Sequence, residues 1–337
     1  MESRRATMSE IAAAAGVSVP TVSKVVNGRP DVAPRTRQAI EKLLIEHRYD
    51  AHRNRPRDKA GLIDLVFVDL GSPWAMAVLS GVEEVAYRLG AGVAVSAVHG
   101  RHRTRPDDRW LDSLETRRTD GVLLILSELT ARQHRRLNKL GVPIVTVDPA
   151  GTPPPGIPSV GATNWAGGLS AVEHLISLGH TRVAVIGGPT DVLCSRARVD
   201  GYRAAMGAAG LAVPNGYVRY GDFMSVTGYQ ETMALLDLPE PPTAIFVCSD
   251  QMALGSYEAL YERGMRVPDD MSIVGFDDLD EARWAIPPLT TVRQPLTEMA
   301  GVATRMLFNL IAGEDLDSDR VELSTPLVLR ASTRALS

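Results

Sequence analysis

From Leu62 onward the chain alternates short apolar runs with stretches of helical periodicity, and that alternation leaves few folds open. The runs are Leu62–Val68, Val93–Val98, Val122–Leu126, Ile144–Val147, Val183–Ile186, Ala244–Val247 and Ile273–Phe276. Between most of them lie Ala75–Leu89, Thr130–Leu140, Leu169–Leu178, Ala197–Ala209, Val226–Leu236 and Met252–Arg263. Continuous apolar strands separated by helices mean parallel strands buried on both faces, so this part is an α/β body of doubly wound parallel sheets. Its length exceeds one such core, which predicts two lobes. The Pro/Gly-rich stretch Pro149–Gly161 is expected to cross between them, and Pro287–Val292 to cross back. Lobe 1 then covers about 62–160 and 290–320, and lobe 2 about 161–289 and 321–331.

Residues 1–50 follow another pattern, that of three short helices forming an all-α head. Thr7-Met8-Ser9-Glu10 is a capping box for the first helix, and Gly16 ends it. Ser18 can cap a second helix, Val19 to about Val26, with Pro20 in its first turn and Asn27-Gly28 as its stop. A third spans about Pro34 to His47. Two short helices joined by a Gly-containing turn suggest helix-turn-helix, whose second helix enters the DNA major groove by its N-terminal part. Val19 and Pro20 can then meet thymine methyls, and Lys24 can donate to guanine. Thr7, Ser18, Thr21, Ser23 and Asn27 suit phosphates. Val22 and Val25 are expected in the core.

Charge agrees with a nucleic-acid contact at one end. The chain carries a net −4, yet residues 1–60 carry +5 and residues 61–337 carry −9. The polar segment 51–61, with Arg53, Arg55, Arg57 and Lys59, reads as an exposed basic linker. Cys194 and Cys248 offer neither a disulfide framework nor zinc spacing and read as small buried residues. With no signal-peptide core and no run of 18 apolar residues, a cytoplasmic protein without a membrane span is expected. No enzyme constellation stands out, and no cofactor or metal is expected. Gly187-Gly188-Pro189 is not a phosphate loop, His99 and His102 lack an acidic metal partner, and the pairs Asp107-Asp108 and Asp277-Asp278 diverge.

The head run Met8-Ser9-Glu10-Ile11-Ala12, Ala15-Gly16-Val17-Ser18-Val19-Pro20-Thr21-Val22-Ser23-Lys24-Val25-Val26-Asn27-Gly28, with Val32-Ala33-Pro34-Arg35-Thr36-Arg37 and Tyr49, resembles the DNA-binding signature of the LacI/GalR family of transcription regulators. The body resembles that family's periplasmic-binding-protein-like half through His174–His180, Ile186-Gly187-Gly188, Arg196–Tyr202, Ser249–Gly255, Val274–Asp278 and Pro288–Pro295. The resemblance implies a homodimeric repressor bound to a pseudo-palindromic operator, with a mono- or oligosaccharide as effector. It also implies a linker leucine wedged into the minor groove. Here no leucine lies between Tyr49 and Leu62, and Pro56 interrupts the segment, so a basic arm of Arg53, Arg55 and Arg57 along the DNA is expected instead. No leucine heptad follows Leu329, which argues against a coiled-coil tetramer.

Ligands of doubly wound sheets bind beyond the carboxyl ends of the strands. That rule selects Ser72, Trp74, Ser127, Asp148, Ser249, Asp250 and Asp277. Asp250 also fits a helix N-cap, Asp278 a structural role, and Trp74 either the cleft wall or packing between lobes. The family resemblance adds Arg196 as the arginine reaching the ligand, Phe223 as the aromatic packed on it, and Ser249, Asp277 and Gln294 as hydrogen-bonding groups. Carboxylates, a guanidinium fork and an aromatic wall suit a neutral polyhydroxylated ring.

Overall fold

The computed structural model describes residues 8–26, 32–46, 60–97, 105–106 and 108–336. The chain divides into two units, Met1–Ala60 and Gly61–Ser337.

The first unit holds α1 (Met8–Ala14), α2 (Val19–Val26) and α3 (Pro34–Glu46). Ile11, Ala12, Val22, Val25, Val32, Ile40 and Leu44 close its small core. Gly16 takes φ +63 between α1 and α2, a left-handed value that admits the tight turn. Val17 N–H returns to Ala12 O at 3.0 Å and seals it. Thr7, Asn27, Tyr49 and Arg53, Arg55 and Arg57 of the linker lie outside the described residues.

In the second unit two six-stranded sheets carry the body. The first contains β1 (Leu62–Phe67), β2 (Gly92–Ala97), β3 (Gly121–Ile125), β4 (Ile144–Val147), β5 (Ser159–Ala162) and β11 (Arg320–Leu323), ordered β11-β5-β4-β3-β1-β2. The second contains β6 (Val183–Gly187), β7 (Val218–Tyr220), β8 (Ala244–Val247), β9 (Ser272–Asp277), β10 (Thr290–Arg293) and β12 (Leu327–Val328), ordered β12-β10-β9-β8-β6-β7. Pairing is parallel throughout except at β12, which runs antiparallel to β10. On the first sheet, α4 (Pro73–Arg88) and α12 (Leu296–Ala312) cover one core, while α5 (Asp108–Arg117) and α6 (Ala131–Leu140) cover another. The second lobe is built around Tyr202, Tyr217, Phe246 and Phe276, with α7 (Asn164–Ser177) against α8 (Leu193–Ala208) and α9 (Ser225–Leu236) against α10 (Asp250–Glu262). The short α11 (Asp280–Trp284) follows β9.

The lobe boundaries differ from the sequence expectation. Pro149–Gly161 does not cross: β5 pairs with β4, so the first crossing falls at Thr163. Pro287–Val292 does not cross either, because β10 pairs with β9 in the second sheet. The return falls at Gln294-Pro295, before α12. A third crossing separates β11, in the first sheet, from β12, in the second. Residues 290–293 therefore belong to lobe 2, and 320–323 to lobe 1. The run Thr290-Thr291 conceals a central strand because its hydroxyls are satisfied inside. Thr291 Oγ1 donates to Asp250 Oδ1 at 2.6 Å, and Thr290 Oγ1 accepts from Arg330 N at 2.9 Å.

Candidate functional site

The carboxyl ends of both sheets face a cleft, and the residues just beyond them converge on Arg198 of α8. Its guanidinium is buried and stacks on the Phe276 ring, 3.7 Å from the centroid. Each nitrogen already donates: Nε to Asn164 Oδ1 at 2.8 Å, Nη1 to Cys248 O at 2.8 Å, and Nη2 to Gln294 Oε1 at 3.1 Å. Asp277, at the end of β9, comes within 3.6 Å of Nη1, too far for a hydrogen bond. Its Oδ1 is buried and has no hydrogen-bond partner among the described residues. Burial pushes the Asp277 carboxyl up to about 7; Arg198 opposes that rise and Asp148 adds to it.

Asp148 follows β4 and faces this group from the first lobe. Its oxygens lie 3.5 Å from Asn164 Nδ2 and 3.4 Å from Gln294 Nε2. Gln294 thus touches both lobes from a crossing segment, and its Oε1 also lies 3.5 Å from Trp74 Nε1. Two more contacts join the lobes. Leu193 N–H donates to Ala150 O at 2.8 Å, and Leu279 joins the core of lobe 1.

The backbone here is unusual. Of six non-glycine residues with positive φ among the described residues, Leu126, Asp148, Asp277 and Asp278 sit at or just after strand ends and Phe223 lies in the loop between β7 and α9. Left-handed non-glycine residues cost energy and cluster where side chains must be aimed. Phe223 rests on Gly188, where an added Cβ would lie 2.1 Å from the ring. A cavity of about 840 Å³ opens from Asp277 and Gln294 outward, between Ser72 and Met76 on one lobe and Leu279 and Trp284 on the other. That volume falls in the upper part of the roughly 300–1,000 Å³ range of small-molecule sites.

Asp148, Phe223, Ser249, Asp277 and Gln294 gather around Arg198, and Trp74 reaches them through Gln294, while of these only Asp277 and Gln294 line the cavity. Arg196 does not: it is exposed on α8. Two helical residues stand about 200° apart, so Arg198 takes the inward position and Arg196 is corrected to a surface residue. The three serines have committed hydroxyls. Ser249 Oγ accepts from Met252 N and donates to Phe223 O, both at 3.1 Å, so it holds the aromatic wall. Ser72 caps α4 by accepting from Ala75 N, and Ser127 donates to Ile125 O. Asp250 is structural, accepting from Thr291 and from Leu279 N–H; burial pushes its pKa up, with Asp277 adding to the rise. Asp278 pairs with Arg293 and Arg330. Sequence reasoning missed Arg198, Asn164 and Phe276. A signal for Arg198 existed: Cys194, Arg198 and Tyr202 repeat every fourth residue and are all buried. Both cysteines are free and buried, and burial raises both thiols, Cys248 to about 12.

In the head, Val22 and Val25 face the core, as expected. Ser18, Val19, Pro20 and Lys24 are exposed along α2, and Thr21 is half-buried with its hydroxyl 2.9 Å from that of Ser18. The Ser23 side chain lies outside the described set. Val19 is 40% exposed, an apolar side chain that does little for the fold.

Residues 7–52 match the family described as bacterial regulatory proteins, lacI family, and residues 172–333 match a periplasmic binding protein-like domain. The HTH-type transcriptional repressor CytR of Escherichia coli (strain K12) is 32% identical over 98% of this chain and 97% of its own length. The solved structure of a transcriptional regulator CelR-cellobiose complex is similar at TM-score 0.74 and 33% identity, covering 97% of this chain and all of that one. The lac repressor dimer bound to operator and the anti-inducer ONPF is similar at TM-score 0.72 and 29% identity, over 98% of this chain and all of that one. With a head and a two-lobed body that match these proteins along almost the whole chain, the protein belongs to the lacI family of bacterial regulatory proteins.

Proposed function

We propose that this chain is a transcriptional repressor that binds operator DNA as a homodimer, and that a small polyhydroxylated effector in the cleft lowers its DNA affinity. The observation that carries the effector half is the buried Asp277 Oδ1, which has no hydrogen-bond partner among the described residues, beside Arg198, three of whose five N–H groups are engaged. A buried acceptor without a donor is costly, and a sugar hydroxyl supplies the donor. The Phe223 ring, 5.9 Å from the Arg198 guanidinium carbon, offers a face for the C–H side of the sugar. A similar regulator solved as a cellobiose complex and a lac repressor dimer crystallised on operator support the two halves of this reading. On the DNA side, Val19, Pro20 and Lys24 read bases, while Ser18, Thr21 and Ser23 contact phosphates. Thr7, Asn27, Tyr49 and the arginines of the linker extend the contact. The relatives are regulators rather than enzymes, and we assign no catalysis to the cleft.

Gel-shift titration of a pseudo-palindromic duplex from upstream of the gene tests this. Affinity is expected to fall steeply with salt, and to fall again when an effector sugar is added. Binding that ignores salt refutes the DNA role. Operator affinity unchanged by every sugar tested refutes the control by effector.

A further inference from the structure

Leu279 belongs to lobe 2 by chain and to lobe 1 by packing. It follows β9 and stands at the N-cap position of α11, both parts of lobe 2. Its side chain is nevertheless buried in the lobe 1 core that α4 and α12 cover. Among the described residues it is the one lobe 2 residue in that core, and no lobe 1 residue enters the core of lobe 2.

The loop that delivers it is pinned at several points. Asp277 and Asp278 take φ +117 and +59, values that cost energy outside glycine. Asp278 is held by Arg293 and Arg330. Leu279 N–H donates to Asp250 Oδ2 at 2.8 Å, and Thr291 fixes Asp250 in turn. Asp277 O accepts from Gln294 N–H at 3.1 Å. This conformation turns the Asp277 carboxyl towards Arg198 and, two residues on, the Leu279 side chain into the opposite lobe. The polar bridges from Asp148 to Asn164 and Gln294, and from Trp74 to Gln294, are long by comparison, at 3.4 to 3.5 Å.

We infer that Leu279 is a positioning residue: seated in lobe 1, it holds the lobes together and keeps Asp277 aimed at Arg198. Drawing the lobes apart would pull this side chain into water. Exposing a buried leucine shifts an equilibrium by roughly tenfold to a hundredfold. A ligand that engages Asp277 from the cavity acts on the same loop, so its effect reaches lobe 1 through this apolar contact. The inference concerns how the lobes are held and stands apart from the identity of the effector.

Hydrogen exchange of the full chain without effector tests this. Leu193 N–H, bonded across the lobes to Ala150 O at 2.8 Å, reads closure, and Gln294 N–H reads the loop. Leu279→Ala is expected to speed exchange at both amides by about tenfold, and Leu279→Val by less, since exchange follows the opening equilibrium. Leu279→Met, which nearly keeps the volume, is expected to leave both protected. Met306→Ala truncates the same core within α12 and serves as the control: it should lower the urea midpoint without exposing either amide. Wild-type exchange at either amide in Leu279→Ala overturns the inference, and so does an equal rise in Met306→Ala. Should Leu279→Ala fail to fold, Leu279→Val decides by the same two amides.

Discussion

Arg198 and Asp277 show how a site can be full of polar groups and still be incomplete. The guanidinium donates to Asn164, Cys248 and Gln294, and Asp277 meets it at 3.6 Å with Oδ1 unsatisfied among the described residues. Arg198→Ala would strip two buried carboxylates of their only buried cation. It is expected to cost about 3–5 kcal/mol in urea unfolding, together with the effector response. Asp277 predicts a pH effect whose sign follows from linkage. Its pKa is raised to about 7 by burial, against about 3.9 for an ordinary aspartate. Between those values the folded chain holds a proton that the unfolded chain has released. This group therefore favours the folded state at low pH, and its contribution is lost as pH rises towards 7. Effector hydroxyls donate to the ionised form, so binding should shed a proton near pH 7. Calorimetry in two buffers of different ionisation enthalpy reads that release. Equal apparent enthalpies would refute it, and Asp277→Asn should abolish it. At this scale the sequence identified Asp148, Phe223, Asp277 and Gln294 as members of the cluster but chose Arg196 over Arg198. Both arginines lie in the matching motif, and only the buried stripe of α8 separates them. The Ser249 side chain was visible as polar, but its commitment to Met252 and Phe223 depends on a loop conformation no local pattern encodes.

Among the elements, the helix pair α7 and α8 fixes where Arg198 stands. An added Cβ at Gly168 would lie 2.3 Å from Arg198 O, and one at Gly201 would lie 2.3 Å from Trp165 O. The two helices approach so closely that their backbones touch where each has no side chain. Gly201→Ala is expected to push them apart, costing about 1–3 kcal/mol, and to weaken effector binding by displacing Arg198. Urea unfolding and sugar titration of the variant check both effects; wild-type values in both would show that the helices have slack. Strands β1, β3, β4, β6, β8 and β9 were legible because continuous apolar runs have no other use in a buried sheet. Strand β10 was not, since Thr290 and Thr291 look like a turn until Asp250 and Arg330 are in place to satisfy them. The placement of α12 was legible, since the expected lobe 1 included 290–320 and α12 packs into that lobe's core; only the crossing itself, at Gln294, was misplaced.

For the whole molecule, control of DNA by a cleft must act in both directions. If effector weakens operator affinity by some factor, operator must weaken effector affinity by the same factor. Titrating the sugar against free protein and against the protein–operator complex measures both, and unequal factors would exclude a two-state coupling. Gln294 is well placed for the transmission, touching Asp148 and Trp74 on one lobe and Arg198 on the other. Its segment is one of three crossings, and a second is tied to the third: Thr163 Oγ1 lies 2.9 Å from Thr325 Oγ1, and Thr325 N–H donates to Thr163 Oγ1 at 3.1 Å. These crossings also set an order of events on the ribosome. The described helices of the head end at Glu46, yet the first sheet waits for β11 at Arg320–Leu323 to pair with β5, and one of its cores waits for α12. Synthesis proceeds from the N-terminus, and contacts so distant in sequence form late. A chain cut short anywhere between Glu46 and Leu323 thus emerges with α1, α2 and α3 of its head and neither lobe complete.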